Sequence, residues 1–136
     1  MPRLGNRMPL YCAGPGHVIL GSFSEAQLKA CFGTVALKPF TYLTPVTPQA
    51  VRAQVDKAKS LGYGLDDRTA SLKHRSMAAP ILGASGRLCA ELIAIAQTGQ
   101  FSTSALQKEV SPKLVQAARE MTPHASPLKH RPTDPL

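Results

Sequence analysis

Three cysteines and four histidines are the side chains best suited to supply a nucleophile, a general base or a soft metal ligand. They are Cys12, Cys31, Cys89, His17, His74, His124 and His130. An odd and widely spaced set of cysteines is typical of small buried hydrophobic residues, whereas disulfides and zinc sites need paired or closely spaced ligands. The pattern therefore predicts no metal site, no cofactor and no catalytic residue.

An enzyme remains the third hypothesis, because nucleophile and base need to meet only in the folded chain. It would use Cys12 or Cys89 together with His17 or His74, and its thiol would need a lowered pKa. No local motif favours this arrangement, so we expect the protein not to be an enzyme.

The chain is strongly basic. Lysine and arginine total 16 against 8 acidic residues, a net charge of +8. This balance favours phosphates or acidic ligands as partners, and it also favours solubility. The basic residues form no dense run and aromatic residues make up only 5%, so no platform for stacking bases is visible. A small basic module that binds nucleic acid or another protein is the second hypothesis, and steep salt dependence would reveal it.

Length and composition indicate one domain with a hydrophobic core, since the chain has 136 residues and 43% of them are hydrophobic. No stretch approaches the roughly 18–20 apolar residues that span a bilayer. The first ten residues lack the apolar run of a signal peptide. These features predict a cytoplasmic protein without a membrane partner.

Capping residues and apolar spacing predict four helices, at 16–20, 24–33, 48–61 and 104–121. Ser24 with Gln27 has capping-box spacing, and Thr47 before Pro48 is a favourable helix start. Ser104 with Gln107 is the start predicted for the last helix, which we expect to kink or restart at Pro112.

Three strands are predicted at 63–67, 75–82 and 87–96, with a hairpin loop at 83–86. Pro80 indicates a bulge or an edge position in the second strand. The third strand is apolar on both faces except for Glu91, which favours the middle of a covered sheet. The fold class is therefore α+β, a small antiparallel sheet covered by helices. Its few strands suggest that the sheet is incomplete.

Short motifs follow one another in a fixed order along the chain. They are RMPLYCA at 7–13 followed by Gly16, LKPFT at 37–41 with LTPVTP at 43–48, GYGLDD at 62–67, RSMAAPI at 75–81 and GRLCA at 86–90. Together, from about Leu4 to Met121, they resemble the C-terminal effector-binding domain of the IclR family of bacterial transcriptional regulators. Tyr11-Cys12 and RSMAAP resemble most the branch that regulates aromatic-acid breakdown, the protocatechuate and 4-hydroxybenzoate regulators.

The resemblance implies a GAF-like sheet flanked by helices that binds a small aromatic or carboxylic acid and forms homo-oligomers. It places the effector-binding domain at 1–121, incomplete at its N-terminal strands, and leaves a disordered tail at 122–136. Family members contact DNA through a preceding winged helix-turn-helix domain. We expect DNA binding only through such a domain, which is absent from this chain. A sensing and oligomerising module of a transcription regulator is thus the leading hypothesis.

The resemblance also implies which residues bind the effector. Met8 and Gly14 would lie in the wall formed by the first loop and helix. Ser76 stands where the family has a cysteine or serine that helps to bind the ligand. Ile93 and Ile95 occupy strand positions where the family commonly has asparagine or serine.

These two isoleucines depart from the family pattern, and Glu91 departs with them. Losing a hydrogen-bond donor to a charged partner costs roughly 1.5–3 kcal/mol. A carboxylate at Glu91, on the same face, would repel an anionic effector unless His74 or Arg75 neutralises it. We therefore hypothesise that the pocket has lost the usual acid or prefers a more apolar ligand. Plain core packing is the alternative for Ile93 and Ile95.

Overall fold

The computed structural model describes residues 3–122, so nearly all of the predicted tail at 122–136 lies outside the described residues. The helices are α1 (Gly14–Gly21), α2 (Glu25–Thr34), α3 (Pro48–Leu61), α4 (Thr103–Ala105) and α5 (Ser111–Met121), with a 3-10 turn at Leu10–Cys12 and a π-helical turn at Leu106–Val110. The strands are β1 (Gly64–Asp67), β2 (His74–Leu82) and β3 (Leu88–Gln97). This is the predicted α+β class.

The start of α2 confirms the predicted capping box. The backbone N–H of Gln27 donates to Ser24 Oγ at 3.2 Å, and the N–H of Ser24 donates to Gln27 Oε1 at 2.8 Å. The two residues thereby satisfy each other's free donors at the helix N-terminus. The helix ends at Thr34, one residue beyond the predicted stop at Gly33.

Helix α3 also begins and ends where its sequence predicts. Thr47 Oγ1 accepts the backbone N–H of Ala50 at 3.1 Å, and Pro48 occupies the first turn. Gly62 ends the helix with φ +81°, a left-handed conformation that favours glycine. Local chemistry alone therefore fixes this helix.

The predicted start of the last helical segment is wrong, whereas the predicted restart is confirmed. The N-cap is Ser102, whose Oγ accepts the N–H of Ala105 at 3.1 Å, so helical structure begins before Ser104. Several serines and threonines in this stretch could cap a helix, and the sequence does not rank them. Helix α5 then begins at Ser111 with Pro112 in its first turn.

The sheet is antiparallel with the order β1-β2-β3. The turn between β2 and β3 is closed by the N–H of Gly83, which donates to the carbonyl of Arg87 at 2.7 Å. A register shift between Ile81 and Leu82 lies next to Pro80, and β1 pairs with β2 only as far as Ala78. The predicted irregularity near Pro80 is confirmed.

The predicted central position of β3 is wrong for the residues that the structure describes. Within 3–122, β3 is an edge strand. Leu92, Ala94 and Ala96 pack on the core beside α5, whereas Ile93 and Ile95 on the other face are 45% and 53% exposed. A nearly continuous apolar sequence shows that both faces can be buried, but it does not show which strand lies alongside.

Helices α1 and α5 pack on opposite faces of the sheet. Helix α5 packs on the face that carries the fully buried Met77, together with β2 and β3. Helix α1 packs mainly on β1 and β2 and contacts α3. On the face of the sheet where α1 packs, the described residues therefore leave β3 largely uncovered. No helix within residues 3–122 is both long enough and apolar enough to cross a membrane.

Candidate functional site

One side of the sheet brings together three of the predicted site residues. Two rows of directly paired residues cross β1, β2 and β3 on this side. One row is Asp66, Ser76 and Ile95, and the other is Gly64, Ala78 and Ile93. Paired residues of antiparallel strands point to the same side, so Ser76 lies between Asp66 and Ile95. Ser76 is buried, and the two isoleucines are about half exposed. We call the part formed by Ser76, Glu91, Ile93 and Ile95 the open face.

The exposure of Ile93 and Ile95 argues against plain core packing within the described residues. An apolar strip beside a hydroxyl group can hold a flat apolar molecule and orient it through one polar contact. The open face therefore offers the chemistry of a small-molecule site.

The first turn of α1 borders the open face on the β1 side. A Cβ atom added at Gly14 would lie 3.0 Å from the Asp66 nitrogen and 3.1 Å from the Gly64 carbonyl carbon. A Cβ atom added at Gly64 would overlap the Gly14 carbonyl oxygen. Both glycines are therefore needed for helix and strand to touch. Gly14 lies at the boundary of the open face for this backbone reason.

A buried polar network holds this boundary together. Asp66 accepts the backbone N–H of Thr69 at 2.7 Å and also contacts its hydroxyl group. The same hydroxyl oxygen lies 2.5 Å from the Cys12 carbonyl oxygen. The Thr69 hydroxyl group therefore connects the Asp66 carboxyl group with the Cys12 carbonyl. Burial raises the pKa of Asp66, and the hydrogen bonds from Thr69 act in the opposite direction.

The structure does not activate Cys12, one of the two thiols in the cysteine–histidine alternative. The Cys12 thiol is fully buried, donates to the Pro9 carbonyl at 3.2 Å, and has its pKa raised to about 11 by burial. His17 Nε2 donates to the Tyr11 carbonyl at 2.8 Å, and burial lowers the pKa of His17. Cys89 is also buried. A catalytic thiol needs a lowered pKa. Across residues 3–122, no three ligating side chains are grouped to hold a metal ion.

Glu91 lies on the open face, where it pairs with Pro80 near the β2–β3 turn. Its Oε1 atom is shielded from solvent and makes no hydrogen bond to any of the described residues. Burial raises the pKa of Glu91 to about 7. A fraction of the Glu91 carboxyl groups is therefore protonated near neutral pH, and once the group is ionised its shielded Oε1 atom has no partner among the described residues.

Neither His74 nor Arg75 neutralises Glu91. His74 pairs with Gln97, at the other end of β2. Arg75 Nε donates to Asp67 at 2.8 Å, and its Nη1 donates to two backbone carbonyls after β3. Residue alternation also sends Arg75 to the other face of the sheet. Strand register, which the sequence did not reveal, separates these residues.

We expect Glu91→Gln to stabilise the protein above pH 7 and to have little effect at pH 4. The native pKa of Glu91 is raised, so its contribution to stability is present below the unfolded pKa and is lost as the pH rises to about 7. Converted at about 1.4 kcal/mol per pKa unit, the rise from 4.5 to about 7 would correspond to about 3.4 kcal/mol. Because the residue is partly exposed, we expect a gain of only about 1–2 kcal/mol. Urea unfolding of both proteins at pH 4 and pH 8 measures it. An equal difference at the two pH values would contradict this account.

Met8 lies at a cavity that sequence analysis did not single out. The cavity has a volume of about 460 Å³ and lies between residues 8–11 and α2. Its lining residues are mostly apolar, namely Met8, Pro9, Leu10, Tyr11, Leu20, Gln27, Ala30, Cys31, Phe32, Thr34, Val35 and Leu37. Val35 and Leu37, apolar residues just past the end of α2, are the sequence signal that could have indicated it.

Of the predicted site residues, Ser76, Ile93 and Ile95 lie together, Gly14 borders them, and Met8 lines this cavity.

Comparisons with known proteins agree with the motifs. Residues 1–122 match the family model described as bacterial transcriptional regulator IclR C-terminal. The Pca regulon regulatory protein of Pseudomonas putida is 29% identical over 118 residues, which are 87% of this chain and 40% of that protein. The transcriptional regulator KdgR of Escherichia coli is 30% identical over 120 residues, which are 88% of this chain and 45% of that protein. The chain thus spans less than half the length of these relatives.

Solved structures share the fold. The inducer-binding domain of the transcription factor PobR from Acinetobacter, a double mutant in complex with 3-hydroxybenzoic acid, superposes with a TM-score of 0.85 at 25% identity. The match covers 90% of this chain and 70% of that one. These similarities define a C-terminal domain of the kind found in bacterial transcription regulators. Within that class, the chain belongs to the IclR C-terminal family.

Proposed function

We propose that this chain is a small-molecule sensing and oligomerising module of an IclR-type transcription regulator, and that its effector is a small aromatic or carboxylic acid or a close analogue. The observation that carries the proposal is the open face, where Ser76 lies beside two half-exposed isoleucines on a family fold. Ser76, Ile93 and Ile95 would contact the effector, and Gly14 would border it; Met8 lines the separate cavity beside α2.

The aromatic class is supported by the relatives. The PobR domain that shares this fold was solved with an aromatic acid bound. An isoleucine strip favours a flat apolar ring, because burying apolar surface is the main favourable term in such contacts. A cytoplasmic location and DNA contact through a separate helix-turn-helix domain follow from the regulator role and are proposed with it. A basic nucleic-acid- or protein-binding module is not favoured by the comparisons.

Self-association is supported by the outer edge of β3, which pairs with no strand within residues 3–122. This strand has ten residues, Glu91 is its only charged residue, and it contains no proline. Unprotected, long and apolar edge strands readily pair with another chain. Pairing along β3 would extend the sheet and leave the open face accessible.

The test uses the whole chain in thermal melts with 3-hydroxybenzoate, benzoate and their neutral amides, with light scattering recorded on the same samples. A bound ligand at a hundred times its Kd adds about 2.7 kcal/mol of stability, so the melting temperature should rise by several degrees with at least one compound. We also expect scattering above the monomer value. A melt that none of the compounds changes would contradict the sensing function.

A matched pair of variants locates the site. Ile95→Asp places a charge on the open face and should abolish the shift, because the ring would then contact a carboxylate. Leu72→Asp is the control, since Leu72 is 47% exposed in the turn before β2. Equal loss of binding in both variants would place the ligand elsewhere.

A further inference from the structure

Within residues 3–122, the Oε1 atom of Glu91 is the one buried side-chain oxygen or nitrogen that makes no hydrogen bond, and it lies at the turn end of the open face. That atom is closed to solvent. The residue as a whole is partly exposed. A ligand lying on Ile93, two residues along the same strand and about 6.6 Å away, can therefore reach the exposed part of the Glu91 side chain, whereas the Oε1 atom stays shielded.

Among residues 3–122, no lysine, arginine or histidine forms a salt bridge with Glu91. His74 lies at the far end of β2, six residues from Pro80 or about 20 Å along the strand. Arg75 is engaged by Asp67 on the other face of the sheet. The aliphatic part of Lys59 packs on α1, where its Cγ and Cε atoms would contact a Cβ added at Gly21.

A carboxylate ligand would find poor recognition on this surface. Isoleucines offer no hydrogen-bond donors, and a second negative charge beside a shielded carboxyl group disfavours binding. Conversely, an uncharged ligand with a carbonyl or amide oxygen can accept a hydrogen bond from the protonated form of Glu91. Ser76, across from Ile95 near the other end of the strip, can bind a second polar substituent.

Given the proposed sensing function, on which this inference rests, we propose that the effector is an uncharged aromatic molecule with a carbonyl or amide acceptor, and that Glu91 selects it against carboxylate anions. The isoleucines bind the ring, Glu91 binds the acceptor at one end, and Ser76 orients the other end.

Matched ligand pairs test this directly. Calorimetric titrations of the whole chain at pH 7 compare 3-hydroxybenzamide with 3-hydroxybenzoate, and benzamide with benzoate. Within each pair the shape is nearly constant and the charge differs. We expect each amide to bind at least tenfold more tightly than its acid.

Two variants assign the preference to Glu91. Glu91→Gln removes the anion while keeping size and polarity, so the acid should bind more tightly and the preference should fall below about threefold. Glu109→Gln removes the same charge from an exposed position before α5 and should keep the tenfold preference. This control separates a local effect from a change in net charge.

The outcomes separate the two proposals. An acid that binds the unmodified protein as tightly as its amide overturns the selection by Glu91 and leaves the sensing function standing. A preference that Glu91→Gln leaves unchanged also overturns the role of Glu91. Absence of binding by all four compounds overturns both proposals.

Discussion

Replacing Gly16 with alanine is expected to destabilise the chain by at least about 3 kcal/mol, enough to unfold much of a marginally stable domain. Gly16 is buried in α1, and a Cβ atom there would overlap the carbonyl oxygen of Leu10 and come within 2.6 Å of its Cα. These are backbone atoms of the 3-10 turn, so no side-chain rotation relieves the clash. Urea unfolding followed by circular dichroism measures the loss.

Gly33→Ala is the matched control, because Gly33 is also a helical glycine. A Cβ atom at Gly33 has nothing within 4 Å, so alanine should stabilise the chain by about 0.5–1 kcal/mol through its better helix propensity. The same substitution thus has opposite signs in two helices. Equal effects at Gly16 and Gly33 would mean that the contact between α1 and the preceding turn does not matter.

The elements that sequence analysis predicted best are those fixed by neighbouring residues. The capping box of Ser24 and Gln27, and the start of α3 at Thr47, each depend on groups within one helical turn. The position of β3 at an edge depends instead on residues far along the chain. The apolar sequence of β3 is compatible with a central or an edge position, so it could not decide between them. The prediction of a central strand was wrong for the described residues.

The candidate site was predictable in part for the same reason. Strand alternation alone puts Glu91, Ile93 and Ile95 on one side, and the family motif added Ser76. Register decided what alternation could not: that Ile95 lies opposite Ser76, and that His74 is remote from Glu91. The burial of one Glu91 oxygen depends on tertiary packing, so the raised pKa of this group had no sequence signal.

Thr69→Val should cost about 2–4 kcal/mol of stability and should also weaken ligand binding at the open face. Valine has nearly the shape of threonine but cannot donate to the Cys12 carbonyl or bind the Asp66 carboxyl group, and an unsatisfied buried polar group costs about 1–3 kcal/mol. The bond to Cys12 joins residues 57 positions apart, and together the two bonds hold the segment before α1 against β1 and the turn that follows it. Denaturant unfolding gives the stability loss, and titration with 3-hydroxybenzamide gives the affinity.

Thr69→Ser separates the hydroxyl group from the methyl group. Serine keeps both hydrogen bonds and loses one methyl group, so its stability should stay within about 1 kcal/mol of the unmodified protein, with ligand affinity preserved. If serine is as damaging as valine, the methyl contact and not the network stabilises this boundary. If valine is harmless, Asp66 and Cys12 do not depend on Thr69. Since Gly14 follows this segment directly, a loss of binding in the valine variant alone would show that the hydrogen-bond network positions the wall of the open face.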